Sequence, residues 1–73
     1  MCGRDAIAAY RKSIEFAPLL PQPWNGLGEV YAHSGRLDDA VNAFQKAIKL
    51  NDRFILPWLG LAKLYAKQEK HRD

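Results

Sequence analysis

The chain has 73 residues, of which 48% are hydrophobic and 26% charged, and its formal net charge is +3. These proportions are typical of one small folded domain and exclude a disordered tail, while a single cysteine excludes an intrachain disulfide framework. The apolar runs are too short for a membrane span, nothing resembles a signal peptide, and so modest a charge gives nucleic-acid binding little support.

Four helices are predicted in chain order, over about residues 3–17, 22–34, 37–50 and 55–70. The clearest signal is in the second, where apolar and small residues fall at i, i+3, i+4 and i+7, namely Trp24, Leu27, Gly28 and Tyr31. That spacing is one face of a helix. No segment shows the two-residue alternation of a strand, so the sequence predicts an all-α fold.

Helix ends are marked by residues with known positional preferences. Pro23 and Pro57 suit the first turn of a helix, where a missing N–H costs nothing. Gly35 suits the left-handed residue that ends a helix, and Asp38 favours the first turn of the next. The pair Asn51-Asp52 is expected to close the third helix.

The sequence also repeats itself with a fixed period. That period equals the offset in residues from Pro23 to Pro57 along the chain. The dipeptide Pro23-Trp24 aligns with Pro57-Trp58, and Tyr31 aligns with Tyr65. The same offset aligns positions of the third helix with the first helix: Ala40 with Ala6, Phe44 with Tyr10, Ala47 with Ser13, Ile48 with Ile14, Leu50 with Phe16. A fixed period of this length indicates a stacked helical repeat.

The spaced residues resemble a known family. The pattern Trp24-x2-Leu27-Gly28-x2-Tyr31, followed by Ala40-x3-Phe44 and Ala47, is similar to the signature of the tetratricopeptide repeat, and the offset matches the period of that family. The resemblance implies an antiparallel helix-turn-helix array that coils into a right-handed superhelix. It also implies a non-catalytic scaffold that binds proteins or peptides in a groove lined by the first helix of each repeat.

In this interpretation the chain holds one complete repeat, residues 21–54, between two partial ones. Residues 1–20 are then the second half of a preceding repeat and residues 55–73 the first half of a following one, as in an excerpt of a longer array. Each end would leave an apolar side uncovered, formed by Ile7, Tyr10 and Ile14 on the first helix and by Leu61, Leu64 and Tyr65 on the fourth. We therefore expect head-to-tail association of copies through these two helices.

The resemblance assigns the peptide groove to a second face of the second and fourth helices. The predicted groove residues are Gln22, Asn25, Glu29, His33, Leu56, Leu59, Lys63 and Lys67. Asn25 would hold the backbone of an extended peptide, because an amide both donates and accepts hydrogen bonds. Lys63 and Lys67 would bind acidic side chains of the peptide, and the leucines would contact an apolar one. The alternative is that the polar positions are ordinary surface residues and that a neighbouring helix covers the two leucines.

No catalytic, cofactor or metal site is expected. Cys2 precedes the first helix and lies far in sequence from both histidines, and the glycines lack the strand that a phosphate loop requires. Two alternatives stay open: an accessory segment of a larger enzyme, and an RNA-binding helical repeat, which Glu29 on the groove face disfavours. A membrane partner is not expected, and a cytoplasmic location is compatible with a single cysteine.

Overall fold

The computed structural model describes residues 3–70, which fold into four α-helices joined by short turns. In chain order these are α1 (Gly3–Phe16), α2 (Pro21–His33), α3 (Leu37–Leu50) and α4 (Ile55–Lys70). Each helix packs on the next, most extensively α2 on α3, and α2 also touches α4. The predicted all-α helical array is confirmed, whereas Cys2 and His71 lie outside the described residues.

The helix ends follow the predicted capping residues. Pro23 and Pro57 both lie in the first turn of their helices, and Pro21 begins α2. The amide of Arg36 donates to the carbonyl of Tyr31 at 2.9 Å, and Gly35 between them has a φ of +79°. This is the Schellman motif that ends a helix on a left-handed residue. It turns the chain from α2 into α3.

One apolar core runs through all four helices. Its buried members are Leu27, Tyr31, Ala40, Ala43, Phe44, Leu61 and Leu64, with Trp24 and Tyr10 packed partly buried against them. The Phe44 ring is 2% exposed and is held between Gly28 of α2 and Gly60 of α4. A Cβ at either glycine would overlap the ring, so both must lack a side chain for three helices to meet here.

Tyr31 links three helices at the edge of this core. Its hydroxyl accepts a hydrogen bond from Nη2 of Arg11 in α1 at 3.0 Å. The guanidinium of Arg36 lies 4.7 Å from the ring centroid of Tyr31 and pairs with Asp39 at 2.7 Å. Because the Arg36–Asp39 pair is largely exposed, it orients α3 more than it stabilises the fold.

The prediction for the apolar side of α4 is wrong in part. Leu61 and Leu64 were expected to be uncovered, but they are 8% and 4% exposed and belong to the core. Tyr65, the third residue of that side, is indeed 45% exposed, and Trp58, which aligns with the half-buried Trp24, is 51% exposed. The physical reason is that α4 rests on α3 and α2 through the Leu61 side, and no described helix packs on its other side.

Candidate functional site

Six of the eight predicted groove residues line one cavity of about 460 Å³ between α2 and α4. We call this cavity the α2–α4 groove; the six are Glu29, His33, Leu56, Leu59, Lys63 and Lys67. Its floor is formed by Phe44, Gly60 and Leu64, of which Phe44 and Leu64 were not predicted to line it. Gly60 lets α4 approach Phe44 closely at this floor, because a Cβ on residue 60 would overlap the ring.

The α4 wall of the groove combines apolar and cationic side chains. Leu56 and Leu59 are 53% and 51% exposed, although leucines of this kind usually lie in a core. Lys63 and Lys67 are exposed, and neither forms an ion pair with any carboxylate in the described part of the chain. This wall therefore presents adjacent apolar surface and unneutralised positive charge.

The α2 wall is polar. Glu29 and His33 are exposed one turn apart and face the lysines and leucines across the groove. Ala32 also lines this wall and is half-buried. A single carboxylate against two lysines leaves the groove with a net positive charge.

Gln22 and Asn25 lie at a second cavity of about 680 Å³, the α1–α2 cleft. Its apolar lining includes Tyr10, Phe16, Leu20 and Phe54, none of which was predicted to line the peptide groove. Glu29 and Leu56 line both cavities, so all eight predicted residues border one continuous surface. The exposed Phe16 and Leu20 follow no helical spacing that would have identified them, because they flank the turn between α1 and α2.

Asn25 corrects an expectation of the sequence analysis. Its side chain is 5% exposed, and its Oδ1 atom has no hydrogen-bond donor among the described residues. It is therefore not an open surface residue, and its contact with a peptide backbone stays a prediction. Close packing of α2 on α1, where the ring of Tyr10 fills the space beside Gly26, buries Asn25 at the base of the α1–α2 cleft.

Two further properties of residues 3–70 bear on function. They hold no group of three or more His, Cys, Asp and Glu side chains close enough for a metal ion. Within the same residues, no helix has the length and apolar character needed to cross a membrane.

The comparisons with known proteins identify the repeat at the centre of the chain. Residues 21–54, which contain α2 and α3, match the family model of the tetratricopeptide repeat. No curated protein and no solved structure matches the chain. The match covers the two helices that contribute Glu29 and the Phe44 floor to the groove.

Proposed function

We propose that this chain is a non-catalytic scaffold that binds a peptide segment in the α2–α4 groove. Residues 21–54 match the tetratricopeptide repeat, a unit that generally mediates protein–protein interaction. The observation that carries the proposal is the exposed leucine pair beside two lysines without counterions. Such a surface is stabilised when a partner covers the leucines and supplies negative charge.

The spacing of these side chains defines the partner more closely. Leu59, Lys63 and Lys67 follow one another at four-residue intervals on α4, which corresponds to about 6 Å of helix rise per interval. Two residues of an extended peptide span about 6.6 Å. An extended peptide along α4 therefore fits best when acidic residues lie two and four positions from an apolar residue, both on the same side of it.

The test is a binding titration with a fluorescent peptide of that alternating pattern. Reversing both charges, Lys63→Glu with Lys67→Glu, is expected to weaken binding roughly tenfold or more, because two favourable ion pairs become repulsive. The loss should shrink at high salt, which screens exposed charges over about 8 Å at physiological ionic strength. Unchanged affinity in this variant would overturn the proposal.

A matched control separates the groove from the overall charge. Lys49→Glu with Arg53→Glu makes the same change in net charge at exposed positions that line neither cavity. This control should bind the peptide as the unaltered chain does. An equal loss of affinity in both variants would mean that the peptide responds to net charge, which also contradicts a groove site.

A further inference from the structure

An apolar strip on α4 is uncovered in the described structure. Trp58, Ala62 and Tyr65 are all exposed and follow one another at i, i+4 and i+7 on one helical face. Their counterparts one repeat earlier are buried or half-buried, and one of them, Gly28, lies directly against Phe44 of α3. The strip on α4 thus has the composition of a face that another helix covers.

The complementary face lies on α1. Ala9 and Ser13 are exposed, whereas their counterparts in α3, Ala43 and Ala47, are 3% and 0% exposed. Tyr10, the counterpart of Phe44, lines the α1–α2 cleft of about 680 Å³. Thus α1 carries the side chains that α3 uses to receive α2, and a cleft lies beside them.

The chain itself shows how the two faces would fit. The ring of Tyr10 occupies the space beside Gly26 as the ring of Phe44, one repeat later, occupies the space beside Gly60. The step from α1 to α2 therefore repeats the step from α3 to α4. A helix that lies on α1 as α2 lies on α3 needs the residue pattern of α2, and α4 has that pattern.

We propose that copies of this chain associate head to tail, with α4 of one copy packed on α1 of the next in the arrangement that α2 and α3 adopt. Trp58 and Tyr65 of the first copy would then be covered as Trp24 and Tyr31 are. The contact joins two different faces, so it does not close on itself and chains of copies can grow.

Polar groups at this contact are complementary as well. Within one copy, Glu29 and His33 of α2 line the same groove as Leu59 of α4. In the proposed contact, α4 of the first copy takes the place of α2, and α2 of the second copy takes the place of α4. Lys63 and Lys67 of the first copy then lie beside Asn25 and Glu29 of the second. An ammonium group there neutralises the exposed carboxylate of Glu29.

The first test compares two substitutions on α1 by light scattering from micromolar to millimolar concentration. Ala8 and Ala9 are both exposed. The α3 counterpart of Ala9 is Ala43, which is buried, whereas the counterpart of Ala8 is Asn42, which is exposed. The unaltered chain and Ala8→Arg should at least double in average mass with concentration. Ala9→Arg should remain monomeric with an unchanged helical circular dichroism spectrum.

The second test shows that the contact is head to tail. Ala62→Arg blocks the α4 face and should also be monomeric, since each single variant retains only one working face. In a mixture of the two variants, Ala9→Arg supplies an intact α4 and Ala62→Arg supplies an intact α1. A one-to-one dimer should therefore form and grow no further. Three results would each overturn the proposal: an unaltered chain that stays monomeric at millimolar concentration, a mixture without dimers, or dimers of either variant alone.

Discussion

A Cβ atom on Gly60 would lie 2.5 Å from Cζ of Phe44, well inside the distance at which carbon atoms repel. The ring has little room to move, because it also lies against Gly28 of α2 and the residue is 2% exposed. Phe44 thus fixes the distance between α2 and α4. Gly60 and Phe44 also line the α2–α4 groove, so the packing of the core and the floor of the site share these two residues.

Gly60→Ala is therefore expected to destabilise the fold, although alanine is the better helix former. Overpacking costs about 1–3 kcal/mol, and the gain in helix propensity returns only about 1 kcal/mol. Denaturant unfolding should show a net loss of up to about 2 kcal/mol. In a Phe44→Leu background the smaller side chain leaves room, and the same substitution should become neutral or stabilising; an equal cost in both backgrounds would contradict this account.

The repeat and the helix boundaries were predictable because they depend on local spacing. Trp24, Gly28 and Phe44 carry the period of the repeat, and Gly35 marks a turn by its own backbone preference. Glu29 and Lys63 could be predicted to line one groove, because this needs only that the equivalent helices of two repeats lie side by side. These features follow from the order of residues along single helices.

Gly35→Ala tests the left-handed turn between α2 and α3. No atom lies within 4 Å of the position where its Cβ would stand, so crowding is excluded as a cause of any effect. The φ of +79° remains, and alanine there should cost about 1–2 kcal/mol in unfolding free energy. Gly35→Asn should cost clearly less, because asparagine tolerates this conformation. Equal losses for the two variants would show that backbone strain is not the cause.

Trp24 and Trp58 offer a comparison between equivalent positions of the repeat. Trp24 is half-buried and packs on the core, whereas Trp58 is 51% exposed and donates its indole N–H to the Asp52 carbonyl at 2.9 Å. Trp24→Ala should cost about 3–5 kcal/mol, but Trp58→Ala only about 1–2 kcal/mol. Thermal melts of dilute samples would measure both.

Fluorescence provides an independent check on the two tryptophans. Trp58→Phe leaves Trp24 as the single emitter, and Trp24→Phe leaves Trp58. Acrylamide should quench the exposed Trp58 efficiently and the half-buried Trp24 weakly. Similar quenching of both, or similar losses of stability, would mean that the first turns of α2 and α4 are packed alike.

Neither the exposure of Trp58 nor the burial of Asn25 could be predicted from the sequence, and the physical reason is the same for both. A repeat pattern states which face of a helix is suited to packing, but burial depends on which neighbour occupies that face. Leu61 and Leu64 have α3 and α2 beside them, and Trp58 has no described helix beside it. Asn25 has a polar side chain, but it lies at the base of the α1–α2 cleft, where the packing of α2 on α1 buries it.

Asn25→Leu is expected to raise the stability of the fold in dilute solution. The Oδ1 atom is buried without a donor in the described structure, and an unsatisfied acceptor of this kind costs about 1–3 kcal/mol. Leucine has a similar size and occupies the equivalent position 59 in α4. A gain of about 1 kcal/mol in unfolding free energy should follow.

Gln22→Leu is the matched control for that substitution, because it makes a similar chemical change one turn earlier on α2 at an exposed position. It should alter stability by less than about 0.5 kcal/mol. A gain at residue 25 without a gain at residue 22 assigns the effect to the buried oxygen and excludes a general benefit of leucine in α2. A loss on Asn25→Leu would instead require that Oδ1 is hydrogen-bonded in solution, and the residue would then hold α2 in place through its amide.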